Sequence, residues 1–281
     1  MFESRKLKEE VILIELYNGD CIEIMQQLVV QNVKVDSIIC DPPYDETRAK
    51  WDKKIPFDKM WECIDKLITD DGAVVLFGNE PFSSLLRTSK LDWYRYDWKW
   101  IKNNSTGFAN ANYRPMRKYE DIMVFSKANA SAGGKANPMK YYPQDLIEIN
   151  KVKQNTSKRQ GLVSYANNNM NKNNVLMQDG TEYIQKYTNY PANILQFDVE
   201  TERVHPTQKP LKLMEYLVKT YTLEGELVLD FTMGSGSTGV ACKLCNRDFI
   251  GIEADVHYFN VAQNRLNAGI VATKDFKRSL F

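Results

Sequence analysis

The chain has 281 residues, 43% of them hydrophobic and 11% aromatic, enough for one large domain, or a domain with an insertion, around a sizeable core. It contains no run of about 18 apolar residues that would read as a membrane span, and its charged start, MFESRKLKEE, lacks the apolar centre of a secretion signal, so a cytoplasmic protein is expected. The formal net charge of +1 hides an asymmetry: residues 85–118 hold eight Lys/Arg against Asp92 and Asp97, and residues 127–190 hold nine against four acids, a pattern that fits either a polyanionic partner on one face or a solvated surface.

In chain order, residues 11–17 (VILIELY) read as a strand followed by Asn18-Gly19-Asp20, and residues 35–40 (VDSIIC) as a second strand that stops at Asp41. Phe57, Met60, Trp61, Ile64, Leu67 and Ile68 recur at helical spacing; a turn at 70–72 and an apolar strand at 73–78 follow. Strand–helix–strand alternation of this kind builds a parallel sheet covered by helices. Residues 93–101 and 119–125 nearly alternate in polarity, which predicts an antiparallel pair at a sheet edge. From about Ser126 to about Tyr190 the chain is rich in Asn and Lys, and the run NNNMNKNN at 167–174 does not read as core. This stretch is expected to be an insertion or binding segment, with a linker as the alternative.

Order resumes after Pro206 and Pro210, where Leu211, Leu213, Met214, Leu217, Val218 and Tyr221 form one helical face. Strands are expected at 226–231 and 248–255, with a glycine turn and a helix start between them and a closing helix at 257–266. Of five cysteines, Cys242 and Cys245 form a C-x-x-C; no second pair faces it and there are only two histidines, so free thiols rather than a metal site are expected.

Two motifs carry chemistry. Asp230 ends a strand, Gly234-x-Gly236-x-x-Gly239 leads into a helix, and Glu253 ends the next strand. Glycines admit a ligand close to the backbone, helix N–H groups hold an anionic part, and a carboxylate at the next strand end suits ribose hydroxyls, so an adenosine-containing ligand is expected. That turn alone does not separate NAD from other nucleosides. The second motif is Asp41-Pro42-Pro43-Tyr44 directly after a strand. Two prolines fix the backbone. The Asp41 carboxylate and Pro42 carbonyl then face one way as acceptors beside an aromatic ring, which suits the exocyclic amino group of a nucleobase.

These residues, with VLDFTMGSGSTGVA (228–241), VHPTQKP (204–210) and FIGIEADVHYFNVAQNRL (249–266), resemble the amino-methylating DNA methyltransferases of the β-class, in which the catalytic turn precedes the cofactor glycines. The resemblance implies an α/β, Rossmann-like fold: a seven-stranded, mostly parallel sheet with an antiparallel edge hairpin, helices on both faces and an inserted polar target-recognition region. It divides the chain into a catalytic half (1–126), that insertion (127–200) and a cofactor-binding half (201–281). It implies S-adenosylmethionine as cofactor, S-adenosylhomocysteine as its product, no metal, and double-stranded DNA as partner. It allows a homodimer and suggests a bacterial or phage origin.

Residue by residue, it makes Asp41 and Pro42 acceptors for the target amino group, with Pro43 holding the turn and Tyr44 stacking on the base. It assigns Gly234, Ser235 and Gly236 to the methionine end of the cofactor, Glu253 to the ribose, Asp20 to the adenine, and Thr207 and Lys209 to the cofactor's carboxylate. Asp41, Asp230, Phe231, Ser237 and Thr238 complete the expected cofactor site. Asn103, Asn112, Arg114, Arg117, Lys118, Lys158 and Arg159 are expected DNA contacts. Where the family usually reads Asp-Pro-Phe, this chain reads Asp230-Phe231-Thr232, so the expected ring is displaced by one position. Asp41 favours N6 of adenine, because relatives acting on N4 of cytosine more often carry Ser there. Carbon-5 chemistry would need a cysteine just after a proline, and Cys40 precedes the prolines. An NAD-dependent oxidoreductase or an inactive DNA-binding module would leave one of the two motifs without a use.

Overall fold

The computed structural model describes residues 12–45, 53–131, 138–154, 182–201, 204–205 and 207–278. Along them run β1 (Ile14–Asn18), α1 (Cys21–Val30), β2 (Val35–Cys40), α2 (Phe57–Leu67), β3 (Ile68–Gly78), α3 (Phe82–Ser89), β4 (Tyr94–Thr106), β5 (Arg117–Phe125), β6 (Ile147–Gln154), β7 (Glu182–Thr188), β8 (Ile194–Gln196), α4 (Leu211–Tyr221), β9 (Leu227–Asp230), α5 (Ser237–Leu244), β10 (Asp248–Glu253) and α6 (Val256–Arg278). Eight strands form one sheet in the order β1-β10-β9-β2-β3-β5-β4-β8, while β6 and β7 pair separately. Neighbours from β1 to β3 are parallel, β5 is antiparallel to both β3 and β4, and β8 is parallel to β4.

The expected α/β architecture is present, and strand periodicity explains its two layers. Ile38, Cys40, Val74, Leu76, Met123, Phe125, Leu229, Ile250 and Ile252 pack on one side, with Met25 and Leu28 of α1, Ile64 of α2 and Leu86 of α3. Their alternates Ile39, Val75, Phe77, Ile122, Val124, Val228 and Phe249 pack on the other, with Leu217 of α4, Ala241 of α5 and Leu266 of α6. Each fully buried Ile or Leu contributes about 1.5–3 kcal/mol. Trp61 of α2 donates its indole N–H to Ser89 Oγ at 2.8 Å, which ties α2 to α3.

The structure adds elements that the sequence pattern does not announce. Asp20 caps α1, accepting from the backbone N–H of Ile22 and Glu23 at 2.9 and 3.1 Å. Residues 70–72, read as a turn, are a bulge within β3, where the register on β2 shifts between Val35 and Ser37. β8 is three residues long, too short to show a period, and joins the sheet as an eighth strand. The expectation that 126–190 lies outside the core fails at Met139, which is 5% exposed. Beside it, Lys140 Nζ reaches Asp36 and Glu226 at 2.7 Å each, and the Tyr142 N–H donates to Thr220 O. This strap crosses the N-terminal ends of β2 and β9, on the side of the sheet away from Asp41.

Candidate active site

In this sheet α1 and α2, which follow β1 and β2, lie on one face, and α5, which follows β9, lies on the other. The chain direction therefore reverses between β9 and β2. Ligands of open α/β sheets sit outside the carboxyl ends of the strands at such a point. A cleft of about 610 Å³ opens there. Four adjacent parallel strands, in the order β1-β10-β9-β2, deliver an acid to it: Asp20, Glu253, Asp230 and Asp41.

On the β9–β10 side the glycine turn has the expected form. Gly234 and Gly236 have φ of +52° and +79°, the left-handed region that favours glycine. A Cβ at Gly234 would meet nothing within 4 Å, whereas one at Gly236 would come within 3.0 Å of Ala262 Cβ. Gly234 thus leaves space in the cleft, and Gly236, outside the cleft lining, lets α6 pack closely. Glu253 holds the turn, accepting from Gly234 N–H at 2.9 Å and Asp255 N–H at 2.8 Å. Burial pushes the Glu253 carboxyl above its ordinary range against those bonds. Asp230 accepts from Thr238 Oγ1 at 2.5 Å and Thr232 N–H at 3.2 Å. Burial pushes its pKa up to about 7. Ser235 is fixed by Arg265, whose Nη1 donates to its carbonyl at 2.6 Å. Phe231 borders the cleft but is fully buried in the core.

On the β2 side, Asp41, Pro42, Pro43 and Tyr44 all line the cleft. The Tyr44 hydroxyl donates to Asp41 Oδ1, and its ring packs on Phe82 with centroids 4.9 Å apart. The two halves of the site meet at Thr232: its Oγ1 donates to the Asp41 carbonyl at 3.1 Å and lies 2.9 Å from Cys40 Sγ. The displaced family position therefore holds a hydroxyl that ties one strand end to the other. Thr207 lines the cleft bound to His205 Nδ1 at 3.0 Å, and the His205 ring packs on Tyr258 with centroids 4.1 Å apart. Burial and then Lys209 push the His205 pKa down to about 4, which leaves the ring neutral near pH 7.

Sequence reasoning missed Glu120, 5% exposed on β5 and part of the cleft lining. Its position beside Asp121 in the polar first half of that strand gave no signal. Much of the first basic region is paired within the chain. Arg87, Lys90, Lys99 and Lys102 pair with acids of the chain, and Arg95 donates to the carbonyls of Ser126 and Ala128. The cause is local, since Asp97, Glu120 and Asp121 lie beside them on the sheet and Glu80 in the turn after β3. Of the expected DNA contacts, Arg117 lines the cleft, and Asn112, Arg114 and Lys118 are exposed on or beside the loop joining β4 to β5. Asn103 instead accepts from Val199 N–H at 3.1 Å. Lys158 and Arg159 lie outside the described residues. The same loop exposes Phe108 and Tyr113, by 81% and 88%.

Residues 35–264 match the DNA methylase family N6_N4_Mtase, and the chain belongs to that family. Type II methyltransferase M1.MboII of Moraxella bovis is 26% identical over 266 residues, covering 90% of this chain and 96% of that protein. The crystal structure of the M1.HpyAVI–SAM complex superposes with a TM-score of 0.58 at 27% identity, covering 90% of this chain and all of that one. The cytosine-N4-specific PvuII DNA methyltransferase shares the fold, with a TM-score of 0.62 at 16% identity over 90% of this chain and 86% of that one. Among the described residues no helix is long and apolar enough to cross a membrane.

Proposed function

We propose that the chain transfers a methyl group from S-adenosylmethionine to the N6 amino group of adenine in duplex DNA. The observation that carries this is the meeting of the Asp41–Tyr44 turn with the Gly234–Glu253 turn in one cleft at the sheet's reversal point. The residues fit the cofactor. Gly234 leaves backbone open to the cleft, and the first-turn N–H groups of α5, at Ser237 and Thr238, lack intrahelical partners. Glu253 offers carboxylate oxygens for ribose hydroxyls. When bound, the sulfonium supplies an activated methyl group.

The chain's own residues do the rest by alignment and electrostatics. An adenine amino nitrogen is a poor nucleophile because its lone pair is delocalised into the ring. Hydrogen bonds from its two hydrogens to the Asp41 carboxylate and the Pro42 carbonyl favour the pyramidal form with an available lone pair. The N–C bond forms as the S–C bond breaks, and the nitrogen then loses one proton to the acceptors and to water. No cysteine is needed; burial pushes the Cys40 thiol well above its ordinary range and keeps it unreactive. The target base must leave the duplex, at a cost of a few kcal/mol. Stacking on Tyr44 returns about 1–3 kcal/mol of that. The loop joining β4 to β5 faces the DNA in this reading, with salt-dependent phosphate contacts from Arg114 and the neighbouring Lys118.

The test is nucleoside mass spectrometry after incubation with unmethylated DNA and isotope-labelled S-adenosylmethionine. Label on N6-methyladenine is expected. Label on N4-methylcytosine would replace the base assignment, and no label on any base would overturn the activity.

A further inference from the structure

Lys209 lines the cleft, and its nearest anions are carboxylates of the chain itself. It is 7% exposed, and its Nζ lies 2.6 Å from Asp41 Oδ2 and 3.4 Å from Glu120 Oε2. Its ammonium also sits over the Phe77 ring, 4.9 Å from the centroid. Glu120 is in turn reached by Lys102 Nζ at 3.2 Å, and its Oε1 accepts from Asn79 Nδ2 at 3.3 Å. Its Oε2 makes no well-aligned hydrogen bond although both lysines lie close to it, so it acts there as a point charge. Two acids and two lysines thus form a charge-balanced cluster around the buried Glu120 and Lys209, with Asp41 and Lys102 half-buried at its edge. Removing one partner from such a cluster leaves an uncompensated charge.

Resting on the methyltransfer reading above, we propose that Lys209 is a positioning residue that clamps the Asp41 carboxylate, with Glu120 as its second anchor, and that it does not bind the cofactor's carboxylate. The geometry explains why the clamp is needed. Asp41 accepts on both oxygens, with a full negative charge, only while ionised, and burial works against ionisation. Tyr44 and Lys209 hold one oxygen each, which fixes the direction of the remaining lone pairs. The opposing influences on Asp41 are its burial and the Glu120 charge, with Asp230 across the reversal point. Cys40 and Tyr44 are neutral near pH 7, because burial raises both well above their ordinary values. His205, on the far side of Lys209, is neutral there as well. Lys53 and Arg117 lie elsewhere on the cleft wall and are unchanged in the variants compared below.

Two variants move Asp41 in opposite directions. Lys209→Gln removes the stabilising cation, so the acid limb of the kcat–pH profile moves up by about one to two pH units. The lost orientation of the Asp41 carboxylate also lowers kcat on the plateau of the profile, by about tenfold to a hundredfold. Glu120→Gln removes the opposing anion, so the limb moves down. The dissociation constant for S-adenosylmethionine, measured by calorimetry, stays within about twofold of the parent in both. General damage to the fold would not give shifts of opposite sign, and if Lys209→Gln does not fold, the downward shift of Glu120→Gln decides alone. An unmoved acid limb, with the cofactor bound tenfold or more weakly by Lys209→Gln, would overturn this inference while leaving the methyltransfer reading intact. A parent chain that methylates no DNA would overturn both.

Discussion

Replacing Gly234 with alanine separates the cost of a backbone conformation from the cost of filling a ligand's space. The left-handed φ of +52° costs an alanine about 1 kcal/mol. The new methyl group meets nothing within 4 Å, so no repacking is added. In a chain of this size about 1 kcal/mol lowers the melting temperature by roughly 2–4 °C. The cofactor site is affected more, because the methyl enters the cleft where the backbone is proposed to meet the methionine end. A loss of at least about 1.4 kcal/mol, tenfold in affinity, is expected. Gly236→Ala is the control. It has the same kind of strain at φ +79°, and its Cβ stands 3.0 Å from Ala262 Cβ and 3.3 Å from its Cα, so α6 must shift. It should therefore melt several degrees below Gly234→Ala. Calorimetry of S-adenosylmethionine binding, beside thermal melts of both variants, provides the measurement. If Gly234→Ala binds the cofactor within twofold of the parent, the turn does not cradle it.

Asp41→Ala should abolish methyl transfer to DNA while leaving cofactor affinity within a fewfold; a variant with near-parental turnover would remove Asp41 from its acceptor role. Asp230 gives a pH signature. Its pKa of about 7 in the fold exceeds the ordinary carboxylate value, so the folded state holds the extra proton and stability falls as pH rises from about 4 to about 7. Urea titrations of Asp230→Asn should show a shallower fall over that window, and an unchanged slope would refute the assignment. Thr232→Val, which removes the hydroxyl donating to the Asp41 carbonyl, should lower kcat about tenfold with Thr232→Ser restoring it. A Phe108→Ala/Tyr113→Ala double variant should slow methylation of a paired target base, and a mismatch opposite that base should restore much of the rate by cheapening extrusion. Equal losses on paired and mismatched DNA would exclude a part in base extrusion.

What the sequence revealed and what it concealed divide along physical lines. The Asp41–Tyr44 and Gly234–Thr238 turns were legible because prolines and glycines dictate backbone at strand ends, where a parallel sheet exposes its ligand site. Glu253 was legible from its place at the next strand end. Glu120 was not, since it stands beside a second acid, Asp121, in the polar first half of β5, and its partner Lys209 arrives from a distant segment. Lys209 itself was recognised as a site residue, but its pairing with Asp41 was not, because spacing along the chain does not say which acid the fold brings within 3 Å. For the basic stretch 85–118, composition left a polyanionic partner and a solvated surface both open. Charge counting ignores the neighbouring strand β5, which supplies Glu120 and Asp121 as partners.

The strap and the short β8 bear on how such a protein diversifies. The polar segment enters through Met139 and Lys140, locked beneath the sheet, and leaves through β8, where Leu195 is buried and the Trp100 indole donates to Phe197 O at 2.8 Å. Between these fixed points the β6–β7 hairpin contributes nothing to either core layer, and every β6 side chain is exposed. Inheritance can therefore treat the hairpin as a cassette. Its residues can be rewritten, lengthened or traded between related genes without unfolding the parent sheet, so long as the two clasps survive. A chimaera cut at residues 146 and 193 respects both clasps.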